Sequence, residues 1–431
     1  MNPLLMLFMT FAAIAIIRVP IAYALVLSSL VTGLYVGLNP ALVVQQMFQG
    51  LNSFTLMALP FFLLAGQLMN SGNITDRLIR LAQAMVGHIR GGLAHISVVV
   101  SMIFAGMSGS SVAETAGVGA LMIPAMKQKN FDGRFAVALI ASASTMGVII
   151  PPSITMIVYG AMGNVSIGGL FLAGAVPGLL VGLAQMAFCY FYALRNGIEA
   201  ETRASGKEFV AGARHAFLPL MIPVIIVGGV VSGIFTATEA GMVATIYALI
   251  LITVVYRNMR WRDLPSVFIE SAILYSQPLL AVAAATVFGW LLAYFEAPQQ
   301  IAELAGGIVD SPTLTVLFVA LIFLVVGTFM DAIPAIIIFM PVVTKLVQAS
   351  GADPIHMGIV VIMSLAMGLV TPPYGLCLMI ASSIGKVKIQ SVMPIMFVFY
   401  ALFLSILVLV AVFPSIAMFL PNQLMAQGPR L

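Results

Sequence analysis

Two heptapeptides, one in each half of the chain, decide how the sequence reads: Met146-Gly147-Val148-Ile149-Ile150-Pro151-Pro152 and Met367-Gly368-Leu369-Val370-Thr371-Pro372-Pro373. A proline donates no backbone N–H and its ring collides with the carbonyl one turn back, so a Pro-Pro pair unwinds a helix locally. The flanking sequence is apolar, and carbonyls freed inside lipid are costly unless something satisfies them. Either neighbouring helices do so around a kink, or a cation such as sodium collects the oxygens. Moving outward, Gly163-Asn164-Val165-Ser166-Ile167 is echoed by Gly385-Lys386-Val387-Lys388-Ile389, and Pro177 by Pro394. Three features matching in the same order make the halves copies of one unit.

Composition sets the medium. Of 431 residues, 62% are hydrophobic and 7% charged, against about 25% charged in soluble domains. A soluble enzyme, a nucleic-acid binder and a disordered chain are excluded. The net charge of +4 matters through its placement. Cys189 and Cys377 sit in apolar runs and form neither a disulfide framework nor a Cys-based metal site. The segment 1–17 lacks a basic leader and a cleavage site and is read as a retained helix.

A spanning helix needs about 20 mostly apolar residues. Single crossings are predicted over 4–17, 21–37, 51–69, 135–160 and 168–194, then over 217–234, 241–256, 267–294, 357–384 and 391–419. Two more apolar stretches, 95–126 and 314–346, break at Gly106-Met107-Ser108-Gly109-Ser110-Ser111 and Gly327-Thr328-Phe329-Met330-Asp331. Each is one long helix, two spans, or a re-entrant hairpin. The basic residues discriminate. With two hairpins, Arg18, Arg77, Arg80, Arg90, Lys127, Lys129, Arg134, the basic residues of 195–214, Arg257, Arg260, Arg262, Lys386 and Lys388 share one side. Glu296, Glu303 and Asp310 lie on the other. Of 18 basic residues only Lys345 and Arg430 then face outward. The positive-inside rule makes the basic side cytoplasmic, with both termini periplasmic.

The predicted fold is therefore an all-α polytopic membrane protein with an inverted repeat. Residues 1–194 and 216–431 are the two copies, joined by a cytoplasmic linker over 195–215. Each copy holds five spanning helices and one re-entrant hairpin, over 92–126 and 313–347. Inverted repeats with discontinuous helices at matching positions point to secondary transport, with a site near the midplane.

The hairpin tips carry complementary chemistry. Ser108, Ser110 and Ser111 around Gly109 offer hydroxyls and an unhindered backbone beside a helix N-terminus, which suits a carboxylate. The second tip offers Gly327, Thr328 and Asp331. Ser and Gly clusters also mediate close helix packing, the role assigned to Gly174, Gly178 and Gly182. Glu114, Glu239 and Asp331 lie within apolar sequence, where an ionisable residue is a functional candidate by default. Each is either a cap on nearby helix N-termini or a participant in ion coupling or proton relay. Glu270 reads as interfacial. His95 and His356 read as packed or interfacial, because no second His or Cys stands at metal spacing.

Taken together, these residues resemble the large membrane subunit of the tripartite ATP-independent periplasmic (TRAP) transporters. The matching segments are 108–119, 147–160, Leu170-Phe171-Leu172-Ala173-Gly174 with Pro177-Gly178, 233–240 and 365–375. The resemblance implies sodium-coupled uptake of a small organic acid across the bacterial inner membrane. It implies two partners, a small four-helix membrane subunit and a periplasmic substrate-binding protein. It also implies an elevator in which a transport domain holding the hairpins moves against a scaffold. Sodium ions are co-transported ligands, with no other cofactor. One implied sodium site uses Ser108, Gly109, Ser110, Gly147, Ile150 and Pro152, and the other uses Gly327, Gly368, Thr371 and Tyr374. The organic acid is expected between Ser108, Ser110 and Ser111 on one side and Thr371 and Pro372 on the other.

Two positions depart from the family pattern. Thr236-Ala237-Thr238-Glu239-Ala240 stands where Thr-Pro-Thr-Glu-Ala is usual, and Ser364 where Asn is common. The nearest alternative is a stand-alone sodium/dicarboxylate symporter of similar architecture. A membrane-embedded enzyme is disfavoured, for there is no His-Glu-x-x-His and no interpretable Ser/His pair. An ATP-driven pump lacks its Gly-x-x-x-x-Gly-Lys-Ser/Thr loop.

Overall fold

The computed structural model describes residues 2–17, 19–72, 74–200, 203–297, 299–300 and 310–425. Arg18, Glu303 and Arg430, used above to orient the chain, lie outside the described residues. Among those described, the regular structure is helical, without strands. The first half runs α1 (Pro3–Ile16), α2 (Ile21–Tyr35), α3 (Ala41–Leu51), α4 (Ala58–Ser71), α5 (Thr75–Val86), α6 (Gly92–Ser108), α7 (Ser111–Gln128), α8 (Gly133–Ala143), α9 (Ile154–Gly163) and α10 (Ile167–Arg195). The second half runs α11 (Gly206–Val231), α12 (Ala237–Ile250), α13 (Leu264–Tyr294), α14 (Pro312–Gly327), α15 (Ala332–Ser350), α16 (Pro354–Gly368), α17 (Leu376–Gly385), α18 (Ile389–Val412) and α19 (Pro414–Leu424).

By length and apolarity, six of the described helices can cross a membrane: α10, α11, α12 extended to Val255, α13 with its lead-in from Trp261, α15 and α18. A seventh arises if α3 and the helix from Thr55 to Ser71, bent by 66°, form one span. The ten crossings expected from sequence are finer than this. Several fall on apolar helices of 10–17 residues, among them α1, α2, α9, α16 and α17. The Pro-Pro breaks explain part of the difference, since each divides one expected span into two short helices. Two boundaries differ for local reasons. Gln45, Gln46 and Gln49 hide α3 from a search for apolar runs. Helix α11 starts inside the expected linker because Ser205 and Glu208 form a capping box, with Ser205 N–H donating to Glu208 Oε2 at 2.7 Å.

Lipid supplies no hydrophobic drive between helices, so close contact depends on small residues and interhelical hydrogen bonds. The core follows that logic. Nearly every residue from Phe135 to Gly160 is buried, as is most of α6 and α16. By contrast, Leu5 and Met9 on α1, Leu27 on α2, Val210 and Phe217 on α11 and Phe397 on α18 are exposed. That surface suits acyl chains.

Both apolar breaks predicted as hairpins are turned back on themselves. Ser97, early in α6, reaches Met126 near the end of α7, Oγ to Sδ 3.9 Å. Phe323 of α14 and Phe339 of α15 meet edge to face at 5.8 Å. The segments beyond the breaks also end alike. Asn164 and Lys386 both take a left-handed backbone at φ 51°, and Val165 and Val387 N–H groups close back onto Gly160 and Ser382 carbonyls.

Candidate functional site

The first tip is a two-residue turn. Gly109 closes α6 at φ +60°, its N–H donating to Ala105 O at 3.1 Å, and Ser110 opens α7 by accepting from Ala113 N–H at 3.4 Å. Glycine is required twice over at 109. The positive φ penalises a side chain, and a Cβ would sit 2.9 Å from Pro152 O and 3.3 Å from Ile154 N. That close approach lets Ile154 N–H donate to Gly109 O at 3.3 Å. The turn is thereby pinned to the chain just past the Pro151–Pro152 break.

The break itself is short. Helix α8 tightens into a 3-10 turn over Ser144–Val148, passes a cis Pro151–Pro152 bond, and restarts at Ser153. Ser153 Oγ donates to Val148 O at 2.7 Å and accepts from Met156 N–H at 3.4 Å. Gly147 backs onto the tip: a Cβ there would stand 2.8 Å from Ser111 N and 2.8 Å from Glu114 Oε2.

The second half repeats these contacts with different atoms. Gly368, the counterpart of Gly147, lies directly on the Gly327 backbone with no room for a Cβ. Tyr374 N–H donates to Thr328 O at 3.0 Å, pinning this tip past the cis Pro372–Pro373 bond. Thr371 Oγ1 donates to Met367 O at 2.7 Å, and Tyr400 OH to Val370 O at 2.6 Å. Asp331 caps α15 through Ala332 N–H at 2.8 Å. The two breaks differ in exposure. Pro151 and Pro152 are buried, whereas Pro372 and Pro373 are exposed.

The two centres interlock across the halves. Helix α17, after the second break, packs on α7 of the first hairpin, and α9, after the first break, packs on α15 of the second. Helix α16 also packs on the turn at Ser144–Val148. Elements that flank the two breaks are thus packed on hairpin arms of the opposite half, although Pro372 and Pro373 themselves remain exposed. No hydrogen bond among the described residues joins the first-tip serines to Thr371 or Pro372; α17 is the bridge between them.

The polar atoms left over define what the interior can hold. Glu114 is fully buried, and the Ser101 hydroxyl is the one polar side chain placed to reach its carboxylate among the described residues. The Ser111 and Ser382 hydroxyls are buried and unpartnered. Buried oxygens beside Gly147 and Ser111 fit a hard cation, which is ligated by carboxylate, carbonyl and hydroxyl oxygens. Glu239 lies elsewhere. It is exposed, accepts from Thr236 N–H and Oγ1 at 2.8 Å each, and its helix packs mainly on α4 and α11. His356 Nε2 sits 2.9 Å from Val410 O, a packed position.

Sequence reading missed Ser153, Ser101 and Tyr400. Ser153 carried a legible signal, a cap residue directly between Pro-Pro and an apolar helix. Tyr400 carried none, since its partner Val370 lies on another helix.

Helical structure throughout the described residues, with paired helix interruptions in the two halves, is the architecture of secondary transporters. The chain belongs to the family described as tripartite ATP-independent periplasmic transporter, DctM component, whose model matches residues 8–416. It is 38% identical to the sialic acid TRAP transporter large permease protein SiaM of Vibrio cholerae, over 95% of this chain and 96% of that one. It is also 38% identical to the isethionate TRAP transporter permease protein DctMQ of Oleidesulfovibrio alaskensis, over 97% of this chain but 66% of that protein. Among solved structures, MtrF of Neisseria gonorrhoeae, one of a class of antimetabolite efflux pumps, superposes with a TM-score of 0.62. It is 14% identical, over 88% of this chain and 84% of that one. That last likeness concerns the fold.

Proposed function

We propose that the chain is the large permease of a sodium-coupled importer of a small organic acid at the bacterial inner membrane. The observation that carries the reading is the matched pair of backbone bonds, Ile154 to Gly109 and Tyr374 to Thr328, which tie each hairpin tip to a proline break. In this reading sodium gathers oxygens of tip and break: Ser108, Gly109, Ser110, Gly147, Ile150 and Pro152 in one centre, and Gly327, Gly368, Thr371 and Tyr374 in the other. Glu114 supplies the buried negative charge of the first centre. Holding the tips against the breaks presents Ser108, Ser110 and Ser111 at the N-terminus of α7 toward an acid group, with Thr371 and Pro372 opposite. A carrier loaded with substrate but lacking sodium is then rarely populated, which is what coupling requires.

The halves act as inverted repeats, and the hairpins ride with α8, α9, α16 and α17 as the moving body against a scaffold. The side rich in arginine and lysine faces the cytoplasm, with both termini periplasmic. A small membrane subunit and a soluble binding protein complete the importer. The name DctMQ and the greater length of that relative support a second membrane component. Relatives named for sialic acid and isethionate support an organic acid as cargo.

The test is uptake into proteoliposomes holding this chain, with and without its partners, under an inward sodium gradient. Uptake should need sodium and both partners. Equal rates without sodium would defeat the mechanism, and uptake by this chain alone would favour a stand-alone symporter.

A further inference from the structure

A cavity of about 480 Å³ lies between α15, the second arm of the second hairpin, and helices α3 and α13. Its polar lining is Lys345, Thr344 and Gln348 from α15, Thr286 and Trp290 from α13, Gln46 from α3, and Gln299 just past α13. Lys345 lies 13 residues past Ala332, so at 1.5 Å per residue it stands about 20 Å along the helix from the second tip. This is a different place from the tip-and-break interior. A second cavity of about 200 Å³ shares Thr344 and Gln348 and continues to Tyr159 and Asn164 of the first half.

The chemistry of the cavity is selective. Lys345 is its one fixed charge, and no acid pairs with it among the described residues, where Arg134 with Asp132 is the salt bridge found. Gln46 and Gln348 bring amides that both donate and accept, and Thr286, whose hydroxyl donates to Val282 O at 2.8 Å, keeps accepting lone pairs. Trp290, stacked on Tyr294 at 5.4 Å between centroids, supplies a flat apolar wall. One ammonium, neutral hydrogen-bonding groups and an aromatic face suit a small organic anion with a polar body. Lys345 is also one of two basic residues that the sequence places outward.

We infer that this cavity is a second, vestibular binding site, in which Lys345 holds the acid group of an incoming organic anion before the anion reaches the hairpin tips. The inference rests on the reading of the chain as an organic-acid carrier. It adds an entry site where the stationary and moving helices meet, so an anion there would be passed inward along α15 as the hairpin moves.

Trp290 makes the site observable. The chain has two tryptophans, and Trp261 is exposed in the turn just before α13, at the opposite end of that helix from Trp290, so Trp261→Phe leaves Trp290 as the sole indole. In the purified full chain, iodide should quench Trp290 fluorescence several-fold more efficiently than in Trp261→Phe/Lys345→Gln, with Lys345→Arg restoring most of the difference. Neutral acrylamide should quench all three proteins alike. Succinate should protect the Lys345 protein from iodide, whereas its uncharged diamide, succinamide, should not. In sodium-driven uptake, Lys345→Gln should raise KM about tenfold, the effect of about 1.4 kcal/mol, with little change in kcat. Equal iodide quenching with and without Lys345, or equal behaviour of succinate and succinamide, would overturn the inference. Quenching needs no transport, so sodium-independent uptake would sink the reading above and leave this result standing.

Discussion

Replacing Gly368 by alanine tests the tip-and-break geometry at its tightest point. The new Cβ would press against the carbonyl carbon and oxygen of Gly327, closer than any real contact. Backbone on both sides must part by roughly 1 Å to restore van der Waals separation, and overpacking of this kind costs about 1–3 kcal/mol. The cost falls on the form in which tip and break touch, the form proposed to bind sodium. At about 1.4 kcal/mol per tenfold, half-saturating sodium should rise by roughly 5- to 150-fold while substrate KM at saturating sodium changes far less. The assay is initial uptake into proteoliposomes across a sodium series. Gly147→Ala, crowded by Ser111 and Glu114, should behave alike. Gly228→Ala on α11, with nothing within 4 Å of its Cβ, should match wild type. A Gly368→Ala sodium curve that superimposes on that of Gly228→Ala would refute the reasoning.

Three further outcomes follow from named contacts. Glu114→Gln keeps shape and loses charge, so half-saturating sodium should rise at least tenfold with expression unchanged; an unaltered sodium curve would remove Glu114 from the cation site. Thr236→Ala breaks the capping box and should lower stability by about 1 kcal/mol, read by thermal unfolding in detergent, without moving the sodium curve. Ser153→Ala strands the Val148 carbonyl and the cap of α9, costing about 1–3 kcal/mol; Ser153→Thr should recover most of it, and equal melting of both variants would contradict the assignment.

What the sequence carried was local physics. Pro151–Pro152 and Pro372–Pro373 announce helix breaks through the missing N–H, and Gly109 announces a turn through its permissive backbone, so both interruptions and the first turn were legible. Pairing across the fold was not. Nothing in sequence tied Ile154 to Gly109 or Tyr400 to Val370, since such bonds depend on helices docked from distant segments. Nor did it separate the halves: matching heptapeptides gave no hint that Pro151 is buried and Pro372 exposed, because exposure is set by the neighbours each copy receives. Glu114 and Glu239 looked alike as acids in apolar runs. Both follow a Ser or Thr by three residues, Ser111 and Thr236, yet only Glu239 closes a capping box, because the N-cap of α7 is Ser110.

The most direct measurement is hydrogen exchange, followed by mass spectrometry, on peptides carrying the Ile154 and Tyr374 amides, the donors that pin the two tips. An amide exchanges only when its hydrogen bond opens. If sodium draws tip and break together, exchange at both peptides should slow in sodium relative to potassium at equal ionic strength, while peptides from the start of α11, remote from both tips, should not change. Identical exchange at Ile154 and Tyr374 in the two salts would contradict the claim that sodium closes these centres.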